Sequence, residues 1–100
     1  MNYKVEAWSW CADYCKKNQW NPHDSYFWNK ANLEYRRQHN IFEVGDKVVY
    51  VDDFMPDSVS VVSEVNDRVW LNGNNAVCIK EIIKHAEDEE IAAGKRLEGL

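Results

Sequence analysis

Between residues 4 and 18 the apolar positions recur at helical spacing. At about 100° per residue, Val5, Trp8, Ala12 and Cys15 fall on one stripe, and Ala7, Trp10 and Tyr14 on a second. Glu6, Ser9, Asp13 and Lys16 form the polar face. The apolar arc then covers about two thirds of the circumference, far wider than the single stripe of a surface helix. A helix is predicted over 4–18, with Trp8 and Cys15 in the core and Cys11 at its border. Trp10 and Tyr14 become the edge that meets a partner, unless the later residues of the chain cover both stripes.

A second helix is predicted from Asn21 as N-cap, with Pro22 at the first helical position and Asp24 in the first turn, where the helix dipole favours an anion. It ends near His39, with Asn40 as a left-handed cap. Phe27, Trp28, Ala31 and Tyr35 make its core stripe. Tyr26, Lys30, Leu33 and Arg37 make another, basic and aromatic.

Beyond residue 40 the periodicity changes. Residues 46–51, 58–65, 68–71 and 76–79 are β-rich runs. Met55-Pro56-Asp57 separates the first pair, and Asn66-Asp67 and Asn72-Gly73-Asn74-Asn75 are hairpin turns. Short strands at this spacing predict a small curled antiparallel sheet or barrel. The remainder, KEIIKHAEDEEIAAGKRLEGL, reads as a helix with Ile82, Ile83, Ala86, Ala93 and Leu97 on one side, interrupted by Glu90. Gly94 and Gly99 predict fraying, and Glu87-Asp88-Glu89-Glu90 a solvated face.

Residues 41–86 resemble a small SH3-like or KOW-type barrel. Gly45-Asp46 opens the first strand, and the second leads through the tight Asn66-Asp67 turn to a Val69-Trp70-Leu71 third strand. The glycine usual before the second strand is absent, Asp57-Ser58 standing there, and a fifth strand is not evident. The resemblance implies binding of proteins, peptides or nucleic acids, and no common chemistry. The expected class is α+β: two N-terminal helices packed on a small antiparallel sheet or SH3-like barrel, then a C-terminal helix. The chain is read as one domain over 1–100, with residues 1–40 helical, residues 41–86 β, and residues 87–100 a helical or frayed acidic tail. At ~40–60 residues each, the helical and β halves sit near the lower size limit for a self-sufficient core, so neither is expected to fold alone.

Composition narrows the function. Residues 1–40 carry a net charge of +2 and residues 41–100 a net of −7, giving −5 over 100 residues. An acidic total argues against unspecific affinity for nucleic acid, which needs phosphate neutralisation. The chain has no run of about 18 apolar residues, so no membrane span is expected. MNYKVEAWSW lacks an apolar signal core, so no secretion signal is expected. An odd number of cysteines, three, forms no disulfide framework and points to reduced thiols in the cytoplasm.

Candidate chemistry is sparse. Cys11, Cys15, His23 and His39 are able to bind zinc, but the spacing C-x3-C-x7-H-x15-H matches no standard site. Buried cysteine acting as a small hydrophobe explains the pair better. No Gly-rich turn presents Cys11, Cys15 or Cys78 as a nucleophile. Asp52, Asp53 and Asp57 lack the regular acidic spacing of a calcium loop. No phosphate loop or dinucleotide fingerprint occurs, so neither enzyme nor cofactor is expected. Tyr26, Lys30, Leu33, Arg36 and Arg37 mix base-stacking and phosphate-binding side chains on one helix, the alternative reading as a nucleic-acid-binding regulator. Protein binding fits more of the chain, because Trp, Tyr and Arg dominate interface hot spots. The candidate partner-binding residues are Trp10, Tyr14, Tyr26, Lys30, Leu33 and Arg37, with a homodimer as one form of partner. The size, unusual composition and lack of chemistry resemble small phage-encoded proteins and imply an accessory or inhibitory factor.

Overall fold

A computed structural model describes residues 3–97, with side chains from residue 6 onward. The chain divides into two compact units, Met1–Ile41 and Phe42–Leu100. The class is α+β, with two N-terminal helices, a five-stranded antiparallel sheet and a short C-terminal helix.

In the first unit, α1 (Tyr3–Lys17) packs against α2 (Ser25–His39). The seam is a line of small residues. Ala7, Cys11 and Cys15, each four apart on α1, are buried against Ala31 and Tyr35 of α2. Small side chains let two helices approach closely, and the large rings Trp10, Tyr14, Trp20 and Trp28 close around the line as partly buried neighbours. This corrects two expectations. Trp8 is not core but 66% exposed, and Cys11 is fully buried rather than at a border. Both apolar stripes read from the sequence straddle the true seam, and the seam follows the line that no large ring obstructs. Val5 lies outside the described side chains.

The start of α2 also differs. Asn21 caps a turn instead of the helix: its side chain accepts from the His23 N–H at 3.0 Å, and its carbonyl from the Asp24 N–H at 3.1 Å. Asp24 is the N-cap, its carboxylate accepting from the Tyr26 N–H at 2.9 Å. At the other end Asn40 adopts the left-handed conformation (φ 54°), and the Ile41 N–H closes the helix onto the Arg36 carbonyl at 3.0 Å.

The second unit holds β1 (Lys47–Tyr50), β2 (Ser60–Val65), β3 (Val69–Leu71), β4 (Ala76–Cys78) and β5 (Ile83–His85), in the order β4-β3-β2-β1-β5. β2 changes partner along its length. Ser60 and Val61 pair with β1, while Val62 to Val65 pair with β3 across an irregularity between Val62 and Glu64. Its core gathers Phe42, Val48, Tyr50, Val62, Leu71 and Ile83. Asn72, Gly73 and Asn74 all take positive φ in the β3–β4 loop. Asn72 folds back on β2 as a strand residue would, its N–H donating to the Val61 carbonyl at 2.8 Å and its side chain accepting from the Val61 N–H at 3.0 Å.

Residues 80–86 form no α-helix. Lys80–Ile82 form a single 3₁₀ turn, and β5 pairs with β1 through Val48↔His85 and Tyr50↔Ile83. The helical reading arises because Ile82, Ile83 and Ala86 suit both periods. The edge of β1 decides it, since Ile83 and His85 point inward with Lys84 between them. α3 (Asp88–Ala93) then begins with a capping box. Glu87, Asp88 and Glu89 are exposed, but Glu90 is fully buried, correcting the solvated face. Its carboxylate accepts from the Glu87 N–H at 3.0 Å and the Leu97 N–H at 2.9 Å. Gly94 is a left-handed cap (φ 74°), not a frayed end. After it, Lys95 bridges to Ser58 as a strand residue. Gly99 lies outside the described residues.

Candidate functional site

The narrow seam of the helical unit pushes its aromatics to the two flanks of α1. On one flank Trp8 meets Trp28 edge to face, with ring centroids 6.4 Å apart and planes at 61°. These rings, with Ala12, Pro22, His23 and Ser25, line an open cleft of about 470 Å³. The turn capped by Asn21 carries Pro22 and His23 to its wall. On the other flank Trp10 stacks on Tyr14 at 4.9 Å with planes 11° apart. A smaller cleft of about 320 Å³ opens there, between these rings and Asp13, Lys17 and Gln38.

Trp10 and Tyr14 are half-buried, so each has one side on the core and one toward solvent. Trp10 and Tyr35 meet edge to face at 5.4 Å, as do Tyr14 and Trp20 at 5.7 Å. Trp20 in turn stacks on Phe27 at 5.1 Å. Tyr26, 62% exposed, stands beside it. The Lys30 ammonium lies 5.4 Å from the Trp20 ring centre and 5.3 Å from that of Tyr26, a cation–π bracket.

Four of the six candidate residues therefore form two close pairs, Trp10 with Tyr14 and Tyr26 with Lys30. Leu33 and Arg37 follow one and two turns further along α2, both half-buried, and Arg37 pairs with Glu34 at 3.6 Å. Trp8 and Trp28 line the candidate cleft, and the sequence pattern places both in the core: Trp28 does pack half-buried against the seam, whereas Trp8 is exposed. The line through Trp8 and Ala12 runs out into Lys16, whereas the line Ala7, Cys11, Cys15 stays apolar throughout. That contrast marks Trp8 as a flank residue.

The thiols are held away from chemistry. Burial, and then the neighbouring Cys15 against a smaller opposing effect of Arg36, pushes the Cys11 thiol up to about 11. Burial also raises Cys15 and Cys78. All three are neutral at neutral pH, and a neutral thiol is a poor nucleophile and metal ligand. The Cys15 thiol faces the Phe27 carbonyl at 3.9 Å. His39 rests on the Tyr35 ring at 4.2 Å, while His23 is exposed at the larger cleft. Among the described residues no three His, Cys, Asp or Glu side chains gather around one point.

In the sheet unit His85 and Asp46 are buried, with Nδ1 and Oδ2 4.0 Å apart. The His85 ring stacks on Phe42 at 4.6 Å, and Asp46 accepts from the Glu43 N–H at 2.9 Å. Burial, helped by Asp46, raises the Glu43 carboxyl above the usual carboxylate range. These contacts hold the turn before β1. Asp52, Asp53 and Asp57 are exposed in the β1–β2 loop. No helix among the described residues is long and apolar enough to cross a membrane. No family model, curated protein or solved structure matches the chain.

Proposed function

We propose that the protein works without catalysis, by binding another protein through the aromatic flanks of α1. One observation carries this reading: Trp8 stands 66% exposed beside Trp28 at the mouth of a formed cleft. A tryptophan left in water forgoes the burial that stabilises a small fold, and rigid aromatics beside a pocket are the anchors interfaces use. The stacked Trp10–Tyr14 pair gives the opposite flank a second anchor.

The strand order, and the 3₁₀ turn placed between β4 and β5, support reading the sheet unit as an SH3-like barrel, a binding module by resemblance. Three buried free thiols suit a reducing, cytoplasmic setting. A phage-encoded accessory or inhibitory factor fits these features. The second reading, nucleic-acid binding, rests on the Tyr26–Lys30 pair, which offers a ring for stacking and a cation for phosphate.

The two separate in one capture experiment with the full chain as bait. Wild type, Trp8→Ser and the double change Trp10→Ser/Tyr14→Ser are compared in lysate with and without nuclease. A protein partner is expected to survive nuclease and salt raised to roughly 0.5 M, and to be lost from the Trp8→Ser bait. Capture that vanishes with nuclease, or falls steeply with salt while ignoring both aromatic variants, overturns the protein-binding reading.

A further inference from the structure

Phe54 is 96% exposed, the most exposed of the large hydrophobic side chains in the described chain. It does not sit on a slack loop. Its N–H donates to the Asp52 carboxylate at 2.9 Å, and the next N–H, of Met55, donates to the Asp52 carbonyl at 3.1 Å. Met55 packs against the sheet core. The Arg96 guanidinium holds the base of the loop, donating to the carbonyls of Tyr50 at 3.1 Å and Asp52 at 3.2 Å. A loop fastened at both ends presents its ring with little conformational entropy left to lose on contact. No basic residue occurs between 48 and 67, whereas Asp52, Asp53 and Asp57 flank the ring.

The chain also carries a receptor suited to such a plug. The Trp8–Trp28 cleft is apolar, open and about 470 Å³ in volume, room enough for a phenyl ring and the turn behind it. Two rings at 61° form a corner in which a third aromatic meets one face and one edge, the arrangements aromatic groups prefer. The units also differ in the sign of their net charge, with Asp24 the carboxylate that stands between His23 and Ser25 at the cleft wall. The helical unit carries a net of +2 and the sheet unit a net of −7.

We propose that Phe54 of one copy of this chain inserts into the Trp8–Trp28 cleft of a second copy. The proposal rests on the reading of that cleft as a contact site. Plug and cleft are different surfaces, so the contact is head-to-tail and leaves a free plug at one end and a free cleft at the other, giving short chains or a closed ring. Opposite unit charges orient the encounter and make it weaken with salt. One inserted loop is a small interface, so association belongs at chain concentrations of roughly 0.1–1 mM.

The test is the solution mass of the full-length protein by sedimentation velocity and light scattering over that range. Wild type is expected to gain mass with concentration and lose the gain in high salt. Phe54→Ser removes the plug from a fully exposed position and is expected to stay monomeric. Trp8→Ser, or Ala12→Glu if the first variant loses helix signal, removes the cleft and is also expected to stay monomeric. Phe54→Ser keeps a cleft and Trp8→Ser keeps a plug, so an equimolar mixture forms one contact only, giving a species of twice the chain mass. A wild type monomeric throughout, a Phe54→Ser that associates like wild type, or a mixture that stays monomeric each overturns the proposal. If Trp8→Ser alone abolishes association, the plug falls while the aromatic flank stands. If Phe54→Ser alone abolishes it, the plug seats elsewhere and the cleft assignment falls. Capture of a foreign protein through Trp8 is independent of all these outcomes.

Discussion

Cys11 lies at the centre of the α1–α2 seam with no exposed surface, and its thiol is pushed up to about 11. The direction fixes a pH dependence. A group whose folded pKa exceeds its ordinary value binds its proton more tightly in the folded state. Its contribution to stability is complete below the ordinary value of 9.0 and is lost as pH rises through about 11. Cys15, Cys78 and Tyr50 are raised by burial too and act in the same sense. Urea midpoints are therefore expected to fall between pH 9 and 11, and less in Cys11→Ala, which costs about 1 kcal/mol at neutral pH for its small cavity. A flat profile across that window would refute the burial. The same residue shows what the sequence conceals. With two thirds of the helix apolar, size and not hydrophobicity chooses the seam, so Cys11 displaces Trp8 from the core. The pairing of Trp10 with Tyr14 was legible because i and i+4 side chains are neighbours on any helix.

At the scale of elements, residues 80–97 depart furthest from the sequence pattern. Both helices of the first unit and the first four strands were legible within a few residues, because their periodicities are clean and Asn-Gly marks its turn. β5 was not, since Ile82, Ile83 and Ala86 satisfy a helix as well as a strand, and only the open edge of β1 selects the strand. Nor does an acidic run announce that one of its members turns inward. Glu90 joins the start of α3 to the chain at Leu97, and Arg96 joins that segment to the loop after β1. Glu90→Ala leaves two backbone donors without their acceptor and is expected to cost roughly 1–3 kcal/mol. Arg96→Ala is expected to cost less in global stability and to speed amide exchange at Phe54 and Met55. The Phe54 and Met55 amides donate to Asp52, whose carbonyl Arg96 holds. Exchange rates unchanged in that loop would mean that Arg96 does not fasten it.

At the scale of the whole molecule, each unit has a hydrophobic cluster of its own, Ala7 to Tyr35 in the first and Phe42 to Ile83 in the second. Length alone places units of ~40–60 residues at the margin of independent folding, which is why the sequence argues that neither stands alone. The connections made by the final segment change that expectation for the second unit. A fragment ending at residue 86 loses α3, the Ser58–Lys95 bridge, and the hold of Arg96 on Tyr50 and Asp52. It also leaves β5 at its C-terminus, where strands fray. A fragment over 42–100 keeps all of these and reaches about 60 residues, a size at which single domains do fold. The first unit is shorter, and apart from Tyr35 its buried residues are small, Ala and Cys, with the other rings half in water, so it is expected to bury too little to offset the entropy of ordering two helices. Fragment 42–100 is expected to unfold cooperatively in urea, 42–86 to show no transition, and 1–41 to show partial, non-cooperative helix. Equal stability of 42–86 and 42–100 would reduce the tail to an appendage and remove the support claimed for the Phe54 loop. A cooperative transition in 1–41 would show that its aromatic flanks stabilise the helix pair by themselves. In that case Trp8 is retained for folding, and the contact assigned to it loses its strongest argument.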